Sequence, residues 1–233
     1  MEFDPKNIAI LGASGALGSA FTALLCKKYP SAEIYTFSRN GEYPIDYSSE
    51  DSIAEAATLA AKTRPLDLVI VPNGILHGDR LMPEKSLKDL SADKFHQLFE
   101  ANTITPALIA KYFLPKLNKE KTSIFAALSA RVGSISDNRL GGWYAYRASK
   151  AALNMIIKNA AIEINRRNKQ AIIVGLHPGT VKSHLSEPFQ RNVADENLFT
   201  PEYSAKKLLG ILEGLTPEQT GKCFAWSGEE ILP

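Results

Sequence analysis

The sequence predicts an α/β fold in which a doubly wound parallel sheet carries helices on both faces. Short apolar runs rich in Val, Ile and Phe alternate with longer amphipathic stretches, the order expected when strands are joined by crossover helices. The 233 residues, 45% of them hydrophobic, suffice for one sizeable core. No linker, repeat or low-complexity tract divides the chain, so a single domain over 1-233 is expected.

The elements follow in order. A first strand is read at Ile8 to Leu11 and a helix at Ala16 to Lys28; a second strand runs from Glu33 to Phe37, with a short one near Tyr43 to Asp46. A helix at Ser52 to Lys62 leads to a strand at Leu66 to Val71, and one long helical pattern covers Ser91 to Leu117. Then come a strand at Ser123 to Leu128, a helix at Tyr144 to Asn168, a strand at Ala171 to Leu176, a helix at Pro201 to Leu212 and a last strand at Lys222 to Trp226. Each helix is opened or closed by cap or breaker residues. Thr180 to Thr200 has no clear period, and irregular stretches of that length usually serve as lids or binding loops.

Composition narrows the partners. Lys and Arg number 27 against 25 acidic residues, and a net charge of +2 gives no broad field for nucleic acid or an anionic membrane. Small-molecule partners are favoured. Cys26 and Cys223 lack CxxC spacing, and His77, His96, His177 and His184 lack metal-ligand spacing, so reduced thiols and no metal are expected. Met1 to Asn7 is polar and acidic, and the first apolar run ends at Leu11, too short for a signal peptide or a membrane span. A cytoplasmic protein is expected.

Gly12-Ala13-Ser14-Gly15-Ala16-Leu17-Gly18 directly follows the first strand and opens the first helix. Glycines at such a turn let backbone N–H groups approach a pyrophosphate, and the helix N-terminus adds partial positive charge. A bare glycine motif means little; its place in a βαβ pattern makes it a dinucleotide signal of the Rossmann type. The second strand ends Phe37-Ser38-Arg39-Asn40, without the carboxylate that would accept from a free ribose 2′-hydroxyl. Arg39 can instead pair with a 2′-phosphate, and Ser38 can add a neutral hydrogen bond, which favours NADP(H) over NAD(H). Asp46 is read either as a cap for the adenine amino group or as a plain turn residue.

Tyr146 and Lys150 lie four apart on a helical pattern and share one side of it. A nearby ammonium favours the phenolate and lowers a tyrosine pKa from its ordinary value near 10, so the pair can do acid and base work.

Together these features resemble the short-chain dehydrogenase/reductase family, and within it the C-factor-like carbonyl reductase-type members. The resemblance spans nearly the whole chain. It rests on the glycine turn, Asn102 in Ala101-Asn102-Thr103-Ile104-Thr105-Pro106, the Tyr146 to Lys150 pair, and His177-Pro178-Gly179-Thr180-Val181-Lys182-Ser183. It implies that Tyr146 is the acid/base, that Lys150 holds the nicotinamide ribose and tunes Tyr146, and that Asn102 serves a proton relay. It further implies that Pro178, Gly179, Val181 and Ser183 meet the nicotinamide end of the cofactor.

The chain departs from the family pattern in three places. Ala16 stands where many members have glycine, and Val71-Pro72-Asn73-Gly74 replaces the usual Asn-Asn-Ala-Gly, leaving Asn73 and Gly74 as the cofactor contacts there. The substrate-orienting serine is the third. A gapless comparison anchored on Gly133 puts Ala130 at its position, one extra loop residue puts Ser129 there, and the distance from Tyr146 suggests Ser134; Ser129 is the choice carried forward. The expected activity is hydride transfer between NADP(H) and a carbonyl or alcohol substrate, in a pocket framed by Arg131 to Trp143 and His184 to Phe199, with Trp143, Phe189, Leu198 and Phe199 as apolar walls. The alternative is a cofactor-binding signalling or sensor protein with little turnover. Family resemblance also suggests a homodimer or homotetramer.

Overall fold

The computed structural model describes residues 3–79 and 81–233; Met1 and Glu2, part of the polar start noted above, lie outside them. Among the described residues a seven-stranded parallel sheet has the order β3-β2-β1-β4-β5-β6-β9. Its strands are β1 (Asn7–Leu11), β2 (Glu33–Ser38), β3 (Tyr43–Pro44), β4 (Leu68–Val71), β5 (Ser123–Leu128), β6 (Ala171–His177) and β9 (Cys223–Ala225). The chain runs outward from β1 to β3, crosses back to β4 and continues to β9. This reversal opens a crevice at the carboxyl ends of β1 and β4, where open α/β sheets bind ligands. The doubly wound α/β architecture expected from the sequence is thus observed.

The strands read as unbroken apolar runs because both faces are covered. Ile8, Ile10, Leu68, Ile70, Ile124 and Ala126 point toward α1 (Ala16–Lys28) and α6 (Pro201–Gly214), meeting Phe21, Leu25, Leu208 and Leu212. The intervening Ala9, Leu11, Val69, Val71, Phe125 and Ala127 point the other way. There they pack on α2 (Glu50–Ala60), α4 (Thr105–Phe113) and α5 (Tyr144–Asn165) through Ile53, Ile109, Phe113, Leu153 and Ile157.

Boundaries differ from expectation for local reasons. Ser49 caps α2, its hydroxyl accepting from the Ser52 N–H, so the helix starts before Ser52. The single helix expected over Ser91 to Leu117 is divided: α3 (Ala92–Phe99) and α4 are joined by a π-turn at Glu100–Ile104, where the Thr105 N–H reaches the Glu100 carbonyl five residues back. The irregular stretch after β6 contains two minimal strands, β7 (Thr180–Val181) and β8 (Leu198–Phe199), paired in parallel with each other.

Candidate active site

Beside the glycine turn, at the carboxyl edge of the sheet, lies a cleft of about 500 Å³ lined in part by Gly12, Ser14, Gly15, Ser38, Arg39 and Tyr47 on one side and Asn73 and Gly74 on the other. Gly12 has φ +100°, open to glycine alone at little cost, and a Cβ there would meet Asn73 Oδ1 at 2.8 Å. Gly18, one turn into α1, leaves no room for a Cβ against the Gly12 carbonyl and the Ala13 Cα, so α1 sits directly on the turn. The Phe37 carbonyl fixes the turn from β2, accepting from the Gly12 and Ala13 N–H groups at 2.8 and 3.0 Å. First-turn amides of a helix have no carbonyl behind them to pair with; Ala16 and Leu17 form that turn, with Leu17 resting on the core beneath.

Arg39 is exposed at the cleft mouth, while Ser38 is buried beneath it. Asp46 is exposed and outside the cleft lining. Its Oδ1 accepts from the Ser48 N–H and hydroxyl at 2.9 and 2.6 Å, and these bonds hold its pKa below the ordinary value. Sequence reading missed Tyr47, the next residue, whose half-buried ring lines the cleft and whose phenol is pushed up to about 12 by burial. Asn73 Oδ1 is buried beside the glycine turn with no hydrogen-bond partner among the described residues.

Tyr146 and Lys150 are one turn apart on α5, 7% and 3% exposed. The Lys150 ammonium lies 5.9 Å from the centre of the Tyr146 ring and donates to the Leu128 carbonyl at 2.9 Å. Burial lowers Lys150 from 10.5 to about 8. The same burial raises the Tyr146 phenol above its ordinary value, opposite to the lowering expected from the sequence. Desolvation of the phenolate outweighs an ammonium that is itself desolvated and turned to a carbonyl.

Asn102, fully buried in the π-turn, holds this arrangement in place. Its Oδ1 accepts from the Ile75 N–H at 2.8 Å, and its Nδ2 donates to the Ile75 carbonyl and to Ser149 Oγ. Thr103 also grips α5, donating to the Ser149 carbonyl at 2.8 Å. The π-turn thereby brings consecutive side chains to bear on one turn of α5. Gly74 lies at the junction: a Cβ there would come within 3.1 Å of Asn102 Oδ1 and 3.3 Å of Lys150 Nζ. Turn, cleft and the Tyr146–Lys150 pair are therefore contiguous.

Ser129, Ala130 and Ser134 occupy different surroundings. Leu128 faces α1 and α6, so Ser129 continues the strand alternation toward α5. Its hydroxyl donates to Asn154 Oδ1 at 2.6 Å, with the Cys223 thiol also beside it. Ala130, on extended backbone, instead joins the small apolar cluster that contains Tyr146. Ser134 Oγ accepts from the Asp137 N–H at 3.1 Å within its own loop.

Over Tyr146 the Trp143 ring stands edge-on at 6.1 Å, and Phe189 packs on Trp143 at 4.9 Å. Phe199 turns elsewhere, lying 4.4 Å from Trp226 and pressed against Gly179, while Leu198 pairs with Thr180. Pro178, Gly179, Val181 and Ser183 lie outside the cleft lining. The Pro178 carbonyl accepts from Ser204, and Val181 is buried with its carbonyl accepting from Ser183 and Ser186. Glu84 was not anticipated. It is 1% exposed; its carbonyl accepts from the Trp143 N–H at 2.5 Å and its Oε2 from the Ala145 N–H at 3.3 Å.

The family model described as short chain dehydrogenase matches residues 42–194. A 1-hydroxy-2-glutathionyl-2-methyl-3-butene dehydrogenase of Rhodococcus sp. (strain AD45) is 33% identical over 180 residues, which cover 76% of this chain and 74% of that protein. The C-signal of Myxococcus xanthus is 32% identical over 146 residues, 63% of this chain and 82% of that protein. In fold, the chain is similar to an NADPH-bound carbonyl reductase from chicken fatty liver, with a TM-score of 0.84, 23% identity, and coverage of 98% of this chain and 99% of that chain.

Proposed function

The chain belongs to the short-chain dehydrogenase family, and from that membership we propose that it is an NADP(H)-dependent oxidoreductase acting on a carbonyl/alcohol substrate. One observation carries the reading: the Tyr146 hydroxyl has no hydrogen-bond partner among the described residues, one helical turn from Lys150 and next to the glycine-lined cleft. The donor set suits a dinucleotide. In the turn, Gly12, Gly15 and Gly18 would let a pyrophosphate approach closely while Ser14, Ala16 and Leu17 offer it amides, and Arg39 with Ser38 offers a charged fork and a hydroxyl to a 2′-phosphate. Asn73 and Gly74 would run along its length, and Asp46 keeps one carboxylate oxygen for the adenine. Pro178, Gly179, Val181 and Ser183 would meet the nicotinamide end.

When bound, NADPH supplies the hydride that reaches the carbonyl carbon. Tyr146 donates its proton to the developing alkoxide, a role suited to a phenol that burial keeps protonated. Lys150, with a pKa of about 8, exchanges protons near neutrality and returns one to Tyr146. Asn102 acts through position, fixing Ile75 and Ser149 on either side. Reduction is the favoured direction. The sensor alternative is less well supported, because Tyr146 and Lys150 lie one helical turn apart beside the cleft.

Among the described residues no helix is long and apolar enough to cross a membrane. A cytoplasmic homodimer or homotetramer, organised as one domain, completes the proposal. Thermal shift with NADPH and NADH in parallel tests the cofactor, since a ligand bound only to the native state raises its stability by mass action. A turnover screen across aldehydes, ketones and quinones tests the reaction. Stabilisation by NADH alone, or NADPH binding without turnover of any carbonyl, would refute it.

A further inference from the structure

A carbonyl oxygen turning into an alkoxide has room for more than one hydrogen bond, and each preorganised donor aimed at it typically contributes about 10² to 10³ in rate. Around Tyr146 the donors of Ser149, Lys150, Asn102, Ser129 and Ser134 are committed elsewhere. Ser149 Oγ donates to the Tyr146 carbonyl at 2.8 Å, Lys150 to Leu128, and the Asn102 amide to Ile75 and Ser149. Ser129 is spent on Asn154 across the strand, and Ser134 is held within its loop turn. The residue of this strand end that shares an apolar cluster with Tyr146 is Ala130, together with Leu76, Leu81, Leu98 and Ala145.

Resting on the oxidoreductase reading above, we infer that Tyr146 delivers its proton without a companion hydroxyl, and that the site therefore takes carbonyls that are already electron-poor. An electron-withdrawing neighbour stabilises the alkoxide within the substrate, so the missing donor matters less. The aromatic wall of Trp143 and Phe189 beside Tyr146 suits a flat, conjugated substrate of that kind. Quinones, vicinal dicarbonyls and aryl ketones bearing withdrawing groups belong to this class; simple dialkyl ketones do not.

The experiment uses para-substituted acetophenones with NADPH. The wild-type rate should climb steeply from the methoxy to the nitro compound. Ala130→Ser places a hydroxyl in the Tyr146 cluster, and it should raise turnover of the methoxy compound at least tenfold while changing the nitro compound much less. The same variant should lower the carbonyl stretching frequency of a bound, unreduced acetophenone, a readout independent of turnover. Ser129→Ala should leave the rates within about twofold. The inference falls if Ala130→Ser changes neither rate nor frequency, or if Ser129→Ala cuts turnover a hundredfold and so reveals a second donor. Absence of turnover in wild type and Ala130→Ser alike would instead sink the oxidoreductase reading along with it.

Discussion

Glu84 holds the backbone of Trp143 across 59 positions of sequence, its carbonyl accepting the Trp143 N–H at 2.5 Å while its carboxylate takes the Ala145 N–H. Trp143 needs that support. It has φ +51°, left-handed backbone that a bulky residue adopts only under constraint, immediately before α5. A carboxylate at a helix N-terminus also complements the helix dipole. Glu84→Ala should therefore lower unfolding free energy by about 1 to 2 kcal/mol, with the larger consequence for the position of Tyr146. Urea titration should show an earlier midpoint at unchanged slope, and Glu84→Gln, which retains an acceptor, should lie between variant and wild type.

Tyr146→Phe removes the phenol hydroxyl of the site and little else. Turnover should fall by about 10² to 10⁴, the span associated with a positioned general acid. Stabilisation by NADPH in a thermal shift should be nearly unchanged. A variant that keeps normal turnover would remove Tyr146 from the mechanism.

Arg39 bears on cofactor choice. Arg39→Ala should weaken NADPH binding about ten- to a hundredfold, corresponding to about 1.5 to 3 kcal/mol for charge-assisted hydrogen bonds, and leave NADH binding nearly as it was. Parallel titration with both cofactors reads the ratio directly. Equal losses for both would show that Arg39 does not meet the 2′-phosphate.

His177, at the end of β6, supplies a pH dependence unrelated to catalysis. Burial, with the nearby Arg131 guanidinium second, lowers it from 6.5 to about 4, and its Nδ1 is buried without a partner among the described residues. The folded protein therefore holds the ring neutral while the unfolded chain protonates it near pH 6.5. Its stability contribution is fully present above that value and is lost as pH falls toward 4, by at most about 3 kcal/mol. Unfolding titrations at pH 7 and pH 4.5 should show this loss in the wild type and a smaller one in His177→Gln.

The fold was legible where pattern and packing agree. α1 and β5 begin and end where the sequence places them, because the glycine turn and an unbroken apolar run mark them unambiguously. The π-turn at Glu100–Ile104 was not legible: one surplus residue barely disturbs the apolar period of the long stretch, yet it re-aims Asn102 and Thr103 at α5. Ser129 and Ala130 are hard to tell apart in sequence because a one-residue shift at a strand end costs nothing in comparison, whereas in the fold it exchanges a hydroxyl bonded to Asn154 for a methyl group in the Tyr146 cluster. Glu84 gave no signal at all. It lies in irregular chain, and its importance comes from a partner that only tertiary structure brings near.

The parallel pairing of Thr180 with Leu198 and Val181 with Phe199, reinforced by the Lys182 N–H to the Phe199 carbonyl at 2.8 Å, ties together both ends of the stretch between them. That stretch is thereby a cassette clipped into the scaffold at fixed anchor points. Doubling the length of a tethered loop costs only about 0.6 kcal/mol in closure entropy, so cassettes of other lengths can be exchanged here without moving β6 or α6. Selectivity is free to diverge in such a protein while the frame that carries its proton donor stays constant.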